Sequence, residues 1–181
     1  MSAAETVPAW HFLRADRHLG YGDGRIVEVG QTYAYQGKRP IELCERGMHA
    51  SVRAIDALEY APGPIICRVE MSGEIIHGGD KLVATHRRVL AMADATMLLH
   101  GYACDMAEEA LRVAQVETPE SWRAIEVKRL WIKGQASDSE LDAARDAARD
   151  AAWAAQNERL AAALLALLAE QADIGGAETR P

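Results

Sequence analysis

From Asp94 onward the sequence is rich in alanine and nearly free of glycine and proline, whereas the part before it is punctuated by glycine and carries short β-type runs. A breaker-free, alanine-rich stretch of that length reads as helix, because alanine loses no side-chain entropy in one. The expected class is therefore α+β: a small, twisted, mainly antiparallel sheet with packed helices, followed by a C-terminal helical hairpin. The 181 residues, 49% of them hydrophobic, suffice for one core and an appendage. The expected divisions are an α+β domain over 1–116, a helical hairpin extension over 117–173 and a disordered tail over 174–181.

Within the first half, Ile65, Cys67, Val69 and Met71 alternate with Arg68 and Glu70, the clearest strand pattern in the chain. Ser72-Gly73 is expected to turn this strand back into Glu74–His77 as a hairpin. Lys81–Val83 and Arg88–Met92 are two further strand candidates. The glycine loop Gly20–Gly24 leads into Arg25–Val29, a strand closed by Gly30 and returned by Thr32–Tyr35. Ser51 is placed to N-cap a short helix from Val52 to Ala61, with Ala54, Ile55 and Leu58 on its inner face and Pro62-Gly63 as its stop.

Three helices are expected after that. Between Asp94 and Gln115, Leu99, Tyr102, Ala103, Met106, Ala107, Ala110, Val113 and Ala114 share one face, opposite Asp105, Glu108 and Arg112, as in a helix laid on a sheet. Thr118-Pro119-Glu120 opens the next with a capping threonine and Gly134 closes it; its apolar residues from Trp122 to Ile132 point to more than one side. Ser137-Asp138-Ser139-Glu140 is a capping box and starts the last helix, expected to reach Ala172. That helix contains the tandem repeat Ala143–Asp146 and Ala147–Asp150, whose Asp142/Arg145 and Asp146/Arg149 pairs sit at i,i+3. Arg145, Arg149, Trp153, Leu160, Leu164 and Leu167 are its candidate interaction residues, and a homodimer through this helix is one expectation.

The longest apolar run, Ala161–Ala169, is far short of the roughly 20 residues a membrane span requires. The first eight residues carry no basic and apolar leader, so a cytoplasmic location is expected. Cys44, Cys67 and Cys104 are too widely and unevenly spaced for a disulfide framework and read as reduced thiols. A net charge of −7 works against the phosphate neutralisation that nucleic-acid binding needs. The basic clusters His86-Arg87-Arg88 and Lys128-Arg129 read as solvated faces. The six histidines show no metal-ligand spacing, and the chain lacks a dinucleotide fingerprint, a phosphate-binding loop and a nucleophile elbow, so no metal and no cofactor are expected from motifs.

The segment Cys44–Ser51, followed by Ala57–Ala61, is where a site is expected, with His49 and Ser51 side by side at a cleft. The stretch from Trp10 to about Ala110, with CERGMHAS at 44–51, DALEYA at 56–61 and GEIIHGGDKLVA at 73–84, resembles a family of small uncharacterised proteins of phages, prophages and bacteria. The ARDAAWAAQNERL tail at 148–160 is similar to one that often follows in that family. The resemblance implies an accessory protein acting by binding a host or phage protein, with inhibition of a host defence system as one outcome. Gly47–Ser51 with Ala57 and Tyr60 is also similar to a segment of ADP-ribosyltransferases. That resemblance implies an NAD pocket with His49 in the ring position, Ser51 and Tyr60 beside it, and Arg14 or His11 holding the ribose. No motif singles out the activating glutamate; Glu70, Glu74 and Glu126 are nominal.

Overall fold

The computed structural model describes residues 5–20 and 23–177, with side chains as far as Ala166. The chain forms two compact units, Met1–Leu99 and His100–Pro181. The first contains an open antiparallel sheet of five strands: β1 (Thr6–Leu13), β2 (Thr32–Ala34), β3 (Met48–Ala50), β4 (Ile65–His77) and β5 (Leu82–Asp94). The order is β1-β4-β5-β2, and β3 lies beside β2 on the same edge of β5. β2 takes His86–Arg88 of that edge and β3 takes Leu82–Ala84. Just past β3, Ser51 exchanges two backbone hydrogen bonds with Trp10 of β1, at 2.7 and 2.9 Å. This bridge draws the edge of β5 toward the free edge of β1 and curls the sheet around its core.

The alternation in β4 orients that core. Ile65, Cys67, Val69 and Met71 are buried and face Leu13, His11, Ala9 and Val7 across the β1 ladder. Ser72-Gly73 does not turn the chain, contrary to expectation. Gly73 adopts φ +84° in a bulge between Ser72 and Ile75, and β4 continues to His77. The Thr85 hydroxyl accepts the Glu74 N–H at 3.1 Å, supplying a hydrogen bond where the ladder is interrupted. The hairpin turn comes instead at Gly78-Gly79-Asp80, where the Gly78 N–H donates to the Lys81 carbonyl at 2.8 Å. The two expected strands after it are one, β5, and its long ladder with β4 forms the body of the sheet.

Arg25–Val29 is not a strand either. The Val27 N–H goes to Arg17, and the Tyr33 hydroxyl accepts from Glu28 and donates to Ile26, so side-chain and loop bonds satisfy this segment while β2 pairs with β5. Helix α1 (Ala54–Glu59) has Arg53 at its N-cap with no side-chain cap bond; Ser51 is held in the Trp10 bridge. Its inner face carries Asp56 and Ala57 with Leu58 half-buried, whereas Ala54 and Ile55 are exposed. Asp56 takes a two-pronged ion pair from Arg53 at 2.6 and 2.7 Å, which closes the first turn of the helix.

Helix α2 (Thr96–Val113) begins in the first unit and runs through most of its length in the second. The expected α+β domain, 1–116, takes in the whole of this helix. The face of α2 that is covered is not the expected one. Cys104 is buried, and His100, Glu108 and Leu111 are half-buried, while Tyr102, Ala103, Met106, Ala107, Ala110 and Val113 are exposed. Ion pairs line the covered face: Arg129 of α3 (Pro119–Ile132) binds Asp105 at 2.8 Å and Glu108 at 2.7 Å, and the Trp131 ring packs edge-on against His100.

Pro119 stands in the first turn of α3 as expected, but the Thr118 side chain makes no cap bond. Gly134, at φ +69°, ends the helix by donating to the Trp131 carbonyl. The apolar side chains of α3 do point several ways, with Val127 buried and Trp122, Ile125, Leu130, Trp131 and Ile132 half-buried. α4 (Asp138–Ala177) opens with the capping box: the Ser137 N–H donates to Glu140 at 2.7 Å and the Glu140 N–H to the Ser137 hydroxyl at 3.3 Å. Buried Leu141 and half-buried Ala144, Ala148, Ala151 and Ala155 make the stripe that meets α3. The helix continues to Ala177, so residues 174–177 of the expected disordered tail are helical; 178–181 lie outside the described residues. Among the described residues no helix is long and apolar enough to cross a membrane.

Candidate functional site

A polar corner forms where the Cys44–Arg53 segment meets the Gly78–Lys81 turn. Gly47 leads into β3 at φ +122°, a conformation open to glycine, and its α-carbon is pressed toward Val83 and Ile41. Cys44 is itself left-handed at φ +68°, and its N–H donates to Nε2 of His49 at 3.1 Å. That bond requires a lone pair on Nε2, so the neutral imidazole carries its proton on Nδ1. Burial holds the His49 pKa below the usual imidazole value, with Lys81 and Arg87 acting in the same direction and a hydrogen bond to the Gly47 backbone opposing them.

Across the corner, Lys81 places its ammonium 3.8 Å from the centre of the Tyr60 ring, and the Tyr60 hydroxyl donates to Asp80. The hydrogen bond to Asp80 raises the Tyr60 pKa, and the same bond lowers that of Asp80. Lys81 is held protonated by its contacts with the Tyr60 hydroxyl and then the Cys44 thiol. A hollow of about 150 Å³ opens beside this group, lined by Val52, Arg53, Asp56, His77, Gly78, Gly79, Asp80, Lys81 and Leu82. Its volume is below the roughly 300–1,000 Å³ of typical small-molecule pockets. Arg53 with Asp56 and Lys81 beside Asp80 leave it with no uncompensated charge.

The expected site residues are only partly together. None of Arg14, His49, Ser51 and Tyr60 lines the hollow, although Val52 and Arg53 follow Ser51 directly. His49 is half-buried with its ring edge engaged by Cys44, Ser51 is buried, and one face of Tyr60 is covered by Lys81. Arg14 is not brought to them. β1 meets Ser51 at Trp10, Arg14 lies four residues further along, about 13 Å of extended chain, and its guanidinium pairs with Asp16 at 2.8 Å.

On α4, Arg145 and Arg149 pair with Asp142 and Asp146, at 3.4 and 3.1 Å. Trp153, Leu160 and Leu164 are exposed by 75%, 59% and 50%. The side chain of Leu167 lies outside the described residues. A shallow groove of about 670 Å³ separates α3 from α4, walled by Trp122, Arg123 and Glu126 and floored by Ala144 and Ala147.

Sequence reasoning missed one residue outright. Arg87, read as part of a solvated basic face, is 3% exposed. In β5 it stands opposite Met71 on one side and Tyr33 on the other, on the core face, while its neighbours His86 and Arg88 are exposed. The period-2 alternation through Arg87 and Val89 carried the signal, masked by basic neighbours on both sides. Among the described residues no group of three or more His, Cys, Asp or Glu gathers to hold a metal.

Residues 15–101, just under half of the chain, match the profile of a domain of unknown function (DUF7666). The likeness begins after β1, takes in β2 to β5 and α1, and ends close to the boundary of the first unit. No curated protein and no solved structure matches the chain.

Proposed function

We propose that this protein acts by binding another protein, as an accessory factor of the phage or prophage type, and that α4 is its docking element. The observation that supports this reading is the uncovered length of α4. α3 spans 14 residues, about 21 Å, and α4 spans 40, about 60 Å, so α3 can flank only part of it. Past Ala155 every described side chain of α4 as far as Ala166 is exposed. Trp153, Leu160 and Leu164 follow one another at seven and four residues, a narrow apolar stripe of the kind that seats on a partner helix. An isolated helix is marginal in water, and packing against a second chain would stabilise this one. Ala154, Ala155 and Ala161–Ala163 beside the stripe let such a chain approach closely there.

The size and charge balance of the hollow near His49 favour this reading over an NAD or ADP-ribose pocket. A photo-crosslinking residue placed at position 160 of the full chain in the bacterial cell should give one discrete adduct. Trp153→Glu with Leu164→Glu should abolish it. An adduct with a second copy of the chain would select the homo-oligomer reading, and no adduct at all would defeat the docking assignment. A thermal-shift series with NAD tests the alternative: saturable stabilisation, about 2.7 kcal/mol at 100 times the dissociation constant, would establish a dinucleotide site.

A further inference from the structure

We infer that the core-facing side of the curled sheet holds a small oxyanion, a carboxylate or a phosphate, against the guanidinium of Arg87. Arg87 is almost fully buried, yet no carboxylate pairs with it among the described residues. Its Nη1 donates to the His49 carbonyl at 3.0 Å, and its Nε–H has no hydrogen-bond partner among those residues. A buried guanidinium in this state is costly: the internal charge is desolvated without a counter-ion, and the orphaned donor adds its own desolvation penalty.

Among the described residues, the groups whose charge reaches Arg87 are otherwise engaged. Asp23, an acid whose charge acts on Arg87, is gripped by Arg25 through bonds of 2.6 and 2.9 Å and also accepts the Arg25 N–H. The Tyr33 hydroxyl is used twice, by Ile26 and Glu28. Burial pushes the Cys67 thiol up to about 11, so it stays neutral. The remaining neighbours, His11, His49 and Arg25, are basic. What is left over is the side of the guanidinium that carries Nε, the edge whose parallel N–H groups accept a carboxylate or phosphate two-pronged. His11 approaches from β1 on the same face, opposite Cys67, and burial together with the nearby Arg87 charge holds its imidazole well below the usual value, so the ring is neutral. A neutral imidazole there offers a second donor. Bound there, an oxyanion would neutralise Arg87 and remove the orphaned donor.

Titrating the full chain with inorganic phosphate and, separately, acetate, at ionic strength held constant with chloride, reads the site directly. The Arg87 Nε–H resonance and the His11 ring signals should move together and saturate, and the Tm should rise in parallel. The stronger of the two responses identifies the headgroup class. Arg87→Met, which keeps the bulk and removes the charge, should weaken the response at least about tenfold. An Arg87 Nε–H signal indifferent to both anions would overturn the inference and leave Arg87 as a structural pin on the His49 carbonyl. The same follows if Arg87→Met responds as strongly as the parent. Should that variant fail to fold, the titration of the parent chain still decides.

Discussion

Replacing Gly47 by alanine should be among the most damaging single-methyl additions to the sheet unit. The backbone there has φ +122°, where an L-residue is strained by about 1–3 kcal/mol. The new methyl would sit 2.4 Å from Val83 Cγ2 and 3.1 Å from Ile41 Cγ2. Neither neighbour can swing away, since Val83 is fully buried at the centre of the β3–β5 ladder and Ile41 is buried beside it. Overpacking of this kind costs about a further 1–3 kcal/mol. The sum, about 2–6 kcal/mol, is a large part of the total stability of a small domain. Urea unfolding followed by far-ultraviolet circular dichroism should show the midpoint falling by about 1–3 M, taking a slope near 2 kcal/mol/M. Gly79→Ala is the matched control, because nothing lies within 4 Å of its added methyl, and it should stay within about 0.5 kcal/mol of the parent. If Gly47→Ala is as stable as that control, the strain and the clash assigned to the entry of β3 do not exist.

Met71→Ala, at a side chain with no exposed surface on the core face of β4, should cost about 2–5 kcal/mol in the same assay. In the native protein a thiol reagent should label Cys44 rapidly, with Cys67 and Cys104 reacting only on unfolding; three fast thiols would contradict the burial of the latter two. The Ser137 bonds depress the Glu140 pKa below 4.5, so their contribution is present above that pH and is lost as pH falls through the lower folded value. Acid titration of helix content should therefore show a loss below pH 4.5 that Glu140→Gln lacks. Ser137→Ala should cost about 1 kcal/mol at neutral pH, read from the thermal midpoint.

Where local chemistry decides the outcome, the chain was legible in one dimension. The capping box at Ser137, the proline at the start of α3, the glycine that ends it and the alternation of Ile65–Met71 all formed as their residue types demand. Turn chemistry was ambiguous where two glycine sites competed. Ser72-Gly73 and Gly78-Gly79 are equally good turn formers in isolation, and the first became a bulge because Thr85 stands opposite to accept the freed N–H. Ser51 has the residue type of an N-cap, but its backbone is taken by Trp10, forty-one positions away in sequence. The site was legible only as a neighbourhood: His49 and Tyr60 share a corner with Cys44, Asp80 and Lys81, while Arg14 turns to Asp16.

By itself, then, the order of residues determined the class of the fold, the helices of the second half and which face of β4 goes inward, because these rest on propensities and periods that act over a few neighbours. The tertiary structure alone decided that Arg87 is interior, that β2 and β3 share one edge of β5, and that Cys104 rather than Met106 is the covered residue of α2. Those outcomes depend on ladders and ion pairs between distant segments, and no local window contains both partners of such a bond.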